Sequence, residues 1–454
     1  MVKEQLFSTS HASYWWPRRK GEDSLMGADS MDVKSRPEDS KSDPDVALWK
    51  NRRGVQRRIH ILGAGNLGKF VAHALAGIPN RPPITLLVRR PGSLISWQEQ
   101  DCSIQVTTDG IVESRRGYEV ELVPMLGSSR KNERNEGLSQ EVETVIAREP
   151  ALEGANTVPA HMDELDVDTT ADMAQEPDTG PIYNLIVSVK AMETATAVQS
   201  VADRLTRNST ILFLQNGMGM VEEVNKKVFP DEETRPNYVV GVISHGVYPR
   251  GPFSIVHAGM GTTAIGLLPR KPGQLQTDGF TPSAGYLLRT MTRTPVLVAV
   301  SFAPTDLLQM QLEKLAVNAI INPLTVMFDC RNGELLYNAS ITRVMRLLLA
   351  EISLVIRSLP ELQHVPNVKT RFAPDRLEAQ AVFTAARTAE NLSSMQQDIQ
   401  AGRMTEIDYI TGYVIRRGEE LGIKCVTNYM LLHMVKGKSL KARKKVADLL
   451  PIRN

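Results

Sequence analysis

Apolar periodicity along the chain first becomes regular near residue 58. RIHILGAG (58–65) reads as a short strand running into glycines, and NLGKFVAHALAG (66–77) has helical spacing with Gly77 as its C-terminal stop. ITLLVRR (84–90) is the next strand. SIQVTTDGIVESRRGYEVELV (103–123) reads as antiparallel strands with Asp109-Gly110 as a hairpin turn. IYNLIVSVKA (182–191) and TILFLQNGMG (210–219) are apolar, β-rich runs flanking a helix over 192–209, and 238–266 supplies further strands. Strands alternating with helices predict a doubly wound α/β sheet.

From about residue 305 the pattern becomes helical almost throughout. The stretch EKLAVNAIINPLTVMF (313–328) is apolar on most faces, but Lys314, Asn318 and Asn322 stand four residues apart and therefore share one ridge. A buried lysine is costly unless it is paired or its pKa falls, and buried amides need partners. Such a ridge is either an ordinary polar stripe meeting another polar surface, or the lining of a cleft whose ligand supplies the partners. Pro323 cannot donate to the helix ladder and predicts a kink near Asn322.

Two segments lack this patterning. Residues 1–56 mix charges with Ser, Asp and Pro, and read as a disordered extension. The stretch 131–180 holds 13 acidic and 3 basic residues and no Phe, Trp or Tyr, too little apolar surface to offset its ordering entropy. The expected organisation is therefore an N-terminal extension (1–56), a Rossmann-type domain (57–304) with an acidic flexible insertion at about 126–181, and an all-helical domain (305–454).

Composition narrows the function. With 53 Lys+Arg against 51 Asp+Glu the formal charge is +2, which makes no case for a nucleic-acid or membrane partner. The basic stretch KGKSLKARKKVADLL (436–450) reads as a solvated helix. Cys102, Cys330 and Cys425 are widely spaced and form no metal or disulfide pattern, so a reducing compartment is expected and no metal site is assigned. The N-terminus has no secretory apolar core. Cytoplasmic location is the first expectation and a mitochondrial presequence the alternative.

The chemistry begins at GAGNLG, where Gly63, Gly65 and Gly68 have the G-x-G-x-x-G spacing between a predicted strand and a predicted helix. Backbone can approach a pyrophosphate there, and the helix N-terminus faces its charge. The second strand ends in Arg89 and Arg90 with no acid to hold a ribose hydroxyl. Guanidinium groups match a 2′-phosphate, which favours NADP over NAD.

Several blocks together resemble the ketopantoate reductases (2-dehydropantoate 2-reductases): GAGNLG (63–68), VSVKA (187–191), LQNGMG (214–219), KLAVNAIINPLT (314–325), CRNGEL (330–335), SSMQQDI (393–399) and TEIDYITGYVIRRGEELGI (405–423). The resemblance covers 58–123 and 182–435. It implies NADPH-dependent reduction of a small 2-oxo acid, 2-dehydropantoate to (R)-pantoate, on the way to pantothenate and coenzyme A. It implies that Gly63, Ala64, Gly65, Asn66, Leu67 and Gly68 hold the cofactor and that Lys314 is the general acid. Asn318, Asn322 and Asn332 would surround the substrate. Ser394 would bind it, with Asn391 and Ser393 in the same loop. Glu406 would sit at the junction of substrate and cofactor, Lys190 and Asn216 at the nicotinamide side, with Asn216 near both ligands. HAGMGTTAIG (257–266) follows the family's cofactor-contacting segment only loosely, with Gly259 where a small residue's backbone is used.

This chemistry is coherent in itself. Hydride addition to a 2-oxo acid builds negative charge on the carbonyl oxygen, which an adjacent ammonium stabilises and then protonates. Reduction of another branched 2-oxo acid, or a non-enzymatic binding paralogue keeping the fold, are the alternatives. A homodimer stays open.

Overall fold

The computed structural model describes residues 56–123, 180–270 and 281–449. The N-terminal extension, apart from Gln56, and nearly all of the acidic insertion lie outside them.

The larger sheet has eight strands in the order β12-β11-β8-β7-β6-β1-β2-β5. They are β1 (Ile59–Leu62), β2 (Ile84–Val88), β5 (Glu119–Leu122), β6 (Asn184–Val187), β7 (Thr210–Phe213), β8 (Asn237–Ile243), β11 (Thr263–Leu267) and β12 (Ala299–Ser301). β5, β2, β1, β6, β7 and β8 run parallel, β11 is antiparallel to β8, and β12 is parallel to β11. Every residue of β1, β2, β6 and β7 is buried, as expected of parallel strands covered on both faces. A smaller sheet, β4-β3-β10-β9, comprises β3 (Ser103–Thr108), β4 (Ile111–Arg116), β9 (Gly246–Gly251) and β10 (Ser254–Gly259).

The helices of this part are α1 (Asn66–Ala76), α2 (Gly92–Glu99), α3 (Thr194–Gln199), α4 (Met220–Lys227) and α5 (Pro282–Thr292). The remainder is helical: α6 (Pro304–Phe328), α7 (Ala339–Arg357), α8 (Val368–Arg371), α9 (Pro374–Arg387), α10 (Ser394–Gln400), α11 (Thr411–Glu420) and α12 (Val426–Leu449). The fold is thus a Rossmann-type doubly wound sheet followed by an all-α region. α6 is the core of the latter. Leu315, Ile320 and Leu324 are at most 2 % exposed within one apolar cluster shared with α7, α9 and α11. Truncating any of them to Ala would cost about 2–5 kcal/mol.

Two local expectations need correction. The Asp109-Gly110 turn does close a β3–β4 hairpin, with both residues at positive φ. The third segment of that run, however, becomes β5 and joins the large sheet parallel to β2. The segment 192–209 is not one helix but α3 between two short 3₁₀ turns. Gly77 ends α1 as expected, with φ −90. Beside it the Arg115 guanidinium donates to the His73 carbonyl at 2.5 Å. Pro323 lies inside α6, where the Thr325 hydroxyl donates to the Ile321 and Asn322 carbonyls.

What positions the site is sheet order. β1, β6 and β7 are adjacent and parallel, so the turns that follow them, at Gly63, Ser188–Lys190 and Leu214–Asn216, lie side by side. At about 4.8 Å per strand these turns span roughly 10 Å. α6 runs beneath the last of them.

Candidate active site

The three motif glycines do three different jobs. Gly63 has φ +106, and a side chain there would strike the Val189 backbone. Gly68 lies against Gly63, where a Cβ would fall 2.0 Å from the Gly63 carbonyl oxygen, so the helix can pack on the strand only with glycine. Gly65, the N-cap of α1, has nothing within 4 Å of the position a Cβ would take. That open approach, with no acid in the first turn of the helix, fits a dinucleotide pyrophosphate. Ala64, Asn66 and Leu67 complete the turn.

Arg89 and Arg90 follow β2. Arg89 is half-buried and ion-paired with Glu193 from the turn after β6, whereas Arg90 is exposed. Among the described residues, Arg90 is therefore the one of the two without a competing carboxylate.

The ridge on α6 resolves the question its sequence raised. Lys314 donates to Asn216 Oδ1 at 2.9 Å and to the Ile243 carbonyl at 2.6 Å. Burial lowers its pKa from 10.5 to about 8, with the Glu406 carboxylate opposing the shift. Asn318 is half-buried and Asn322 buried, and among the described residues nothing hydrogen-bonds either side-chain amide. Lys314 and Asn318 line one cavity of about 370 Å³, open mouth included, together with Asn216 and Gly217 from the turn after β7. Polar side chains on an otherwise buried helix without protein partners are those a ligand must satisfy. Arg371 grips Glu313, the residue before Lys314, with two bonds of 2.7 and 2.9 Å and Gln309 with a third of 2.9 Å, fixing the segment that carries the lysine.

Asn216 owes its place to the glycines after it. Gly217 (φ +86) would drive a Cβ into the Tyr409 carbonyl, and the Met218 N–H donates to that carbonyl at 2.8 Å. The turn is thus held against the segment that follows Glu406.

Glu406 is buried and accepts the Ala191 N–H at 3.0 Å; its pKa is raised by burial, partly countered by Lys190, by this backbone bond and by a bond from the Asn216 side chain. Lys190 lies 4.0 Å from Glu406 and donates to Asp398 at 2.7 Å. Asp398, on α10, also accepts Arg403 Nε at 3.0 Å. Burial alone would lower the Lys190 pKa, but Glu406 and Asp398 outweigh it and raise it. A continuous path of polar contacts therefore runs from Lys314 through Asn216 and Glu406 to Lys190 and Asp398.

Other expected residues gather at the far end of α6. Thr325, about 16 Å along the helix from Lys314 at 1.5 Å per residue, is 2.7 Å from the Ser393 hydroxyl. Ser393 is buried and accepts the Gln396 N–H as the N-cap of α10, so its oxygen is occupied structurally. Ser394 and Asn391 are exposed beside it. Asn332 is buried, donates to Thr388 at 2.9 Å, and keeps an unpartnered Oδ1. Gly259 ends β10 beside Gly246 and does not line the Lys314 cavity. Sequence reasoning missed Asp398, Gln311 and Gln215. Asp398 lay inside a quoted block, and Gln311 stands at the helical spacing i−3 from Lys314, so both had a signal.

A profile described as ketopantoate reductase PanE/ApbA matches residues 139–270, and its C-terminal counterpart matches 306–439. A Schizosaccharomyces pombe protein named "Probable 2-dehydropantoate 2-reductase" is 30% identical over 389 residues, covering 85% of this chain and 97% of that protein. The chain belongs to the ketopantoate reductase family. Membership makes it an oxidoreductase. A second relative in the same range, "Ketoisovalerate reductase BEA2" of Gibberella fujikuroi, is 27% identical over 426 residues, 85% of this chain and 84% of that one. Among solved structures, a ternary complex of D-mandelate dehydrogenase with NADH and anilino(oxo)acetate shares the fold at a TM-score of 0.56 and 18% identity, covering 85% of this chain and 99% of that one.

Proposed function

We propose that this chain reduces 2-dehydropantoate to pantoate at the expense of NADPH, with Lys314 as the proton donor. The observation that carries the reading is the Lys314 ammonium on a ridge of unpartnered amides, facing a cavity beside the carboxyl ends of the sheet. When bound, a reduced nicotinamide supplies the hydride to the 2-oxo carbon. The chain's own residues do the rest. The ammonium of Lys314 stabilises the charge that grows on the carbonyl oxygen and then transfers one proton to it, giving the hydroxyl and leaving a neutral amine. Asn216 holds the lysine in line. Asn318 and Asn322 offer neutral hydrogen bonds to the acid and its substituents, adding no charge that would hold the proton back. The glycine loop would seat the pyrophosphate, and Arg90 with Arg89 would receive a 2′-phosphate, which supports NADPH over NADH.

A second reading is reduction of a branched 2-oxo acid without the hydroxymethyl group, favoured by the length over which the Gibberella relative aligns. NADPH and NADH oxidation by the purified chain across a panel of 2-oxo acids decides between them. Turnover highest with 2-dehydropantoate and NADPH supports the first reading. A preference for ketoisovalerate supports the second, and no turnover with any 2-oxo acid contradicts both.

A further inference from the structure

Tyr409 closes the short 3₁₀ turn Ile407–Tyr409 that follows Glu406. Its N–H donates to the Glu406 carbonyl at 3.0 Å, so the turn carries both residues as one unit. Its own carbonyl accepts the Met218 N–H at 2.8 Å, in the turn that bears Asn216. Its hydroxyl donates to Glu223 Oε2, on α4, at 2.6 Å. The other oxygen of Glu223 takes the exposed Lys227 ammonium. On the helical side the same turn is anchored as well: Asp408 pairs with Lys436 of α12 at 2.6 Å, and the Asp408 carbonyl accepts Arg416 Nη1 at 2.9 Å. Tyr409 thus joins α4 and the Asn216 turn to the segment that bears Glu406.

We propose that Tyr409 is a positioning residue for the reduction: its hydroxyl, latched to Glu223, and its carbonyl, bonded to Met218, fix Asn216 against Glu406 and so hold the Lys314 ammonium in place. The inference rests on the reduction chemistry argued above and adds how the fold keeps its proton donor aligned. Asn216 is the shared partner, taking Lys314 on Oδ1 and bonding Glu406 with the rest of its amide. An amide that serves both groups at once tolerates little drift, because hydrogen bonds weaken steeply as geometry degrades. A misplacement of about 1 Å can cost on the order of 10²-fold in rate. Tyr409 does not itself titrate where Lys314 does. Burial, then the bond to Glu223, push its phenol above the ordinary value of 10.0, with Arg416 opposing and Asp408 adding to the shift.

The test assays NADPH oxidation across pH, with the 2-oxo acid the chain turns over fastest, for the full chain and four variants. Tyr409→Phe and Glu223→Ala remove the latch. Glu223→Gln keeps an acceptor for the hydroxyl, and Lys227→Ala removes only the exposed ion pair on the other oxygen. In the two latch variants kcat should fall about tenfold while KM stays within about threefold. The alkaline limb set by Lys314 should also move up by about half a pH unit or more, as its amide partner loosens and water reaches the ammonium. The double variant should be no worse than either single one, because both remove the same bond. Glu223→Gln and Lys227→Ala should stay close to the unmodified chain. An active unmodified chain whose latch variants keep both kcat and the limb, whatever their melting temperatures, overturns the positioning role and leaves the reductase reading intact. A loss in Lys227→Ala as large as in Tyr409→Phe overturns it too, since the effect would then follow surface charge. Failure of the unmodified chain to reduce any 2-oxo acid overturns the reductase reading and the latch with it. Glu223 is partly exposed, so Glu223→Ala gives the answer should Tyr409→Phe fold poorly.

Discussion

Lys190 and Lys314 stand at two ends of one chain of polar contacts, and their surroundings differ in one respect. Lys190 meets carboxylates, Asp398 at 2.7 Å and Glu406 at 4.0 Å, and its pKa is raised. Lys314 meets only neutral acceptors, an amide oxygen and a backbone carbonyl, and its pKa falls to about 8. A lysine that must give up a proton near neutrality is faced by dipoles, while one that must keep its charge is faced by acids. The same contrast separates the two polar groups of the site. The Lys190–Asp398–Arg403 cluster is held by charge pairs within the protein, whereas the α6 ridge leaves amides open to a ligand.

The largest expected effect comes from removing the proton donor. Lys314→Met should lower kcat by about 10²–10⁴-fold while NADPH affinity and melting behaviour stay close to those of the unmodified chain. Retention of kcat in a folded, NADPH-binding variant would reduce Lys314 to a packing residue.

Next is the cofactor end. Arg90→Ala is expected to weaken NADPH binding about tenfold or more with little change for NADH, and to exceed the effect of Arg89→Ala, because Glu193 already occupies Arg89. Equal losses for the two cofactors would remove the 2′-phosphate argument.

Smaller still is the effect on the charge-paired cluster. Asp398→Asn leaves Lys190 with only the more distant Glu406 and should cost about 1–3 kcal/mol of stability, measured by denaturant titration. The pH dependence sharpens this. Lys190 has a raised folded pKa, so its stabilisation is present below the unfolded value near 10.5 and is lost as pH rises through the folded one. Lys314 has the opposite sign. Between about 8 and 10.5 the unfolded chain holds a proton that the folded chain has released, so its contribution to stability rises with pH across that window.

Much of this was legible in the sequence for a physical reason. Four-residue spacing on a helix and glycines at a strand end are local patterns, so the α6 ridge and the cofactor turn could be placed before any fold was known. The sheet that β5 joins and the partner of Asp398 were not legible in the same way. β5 chose between two sheets, and Asp398 matters only because Lys190 reaches it across more than 200 residues of sequence. Ser393 shows the reverse. Its sequence neighbourhood suggests a ligand contact, and only the fold shows that its hydroxyl also caps α10.

The central claim is that the Lys314 ammonium delivers the proton, and the pH profile of kcat/KM for 2-oxo acid reduction tests it most directly. With Lys314 titrating at about 8, activity should be level below that pH and fall tenfold per unit above it; Lys190→Met should keep this limb, and the residual activity of Lys314→Met should lack it. Activity level through pH 9.5 in the unmodified chain, or a limb that persists without Lys314, would contradict the account.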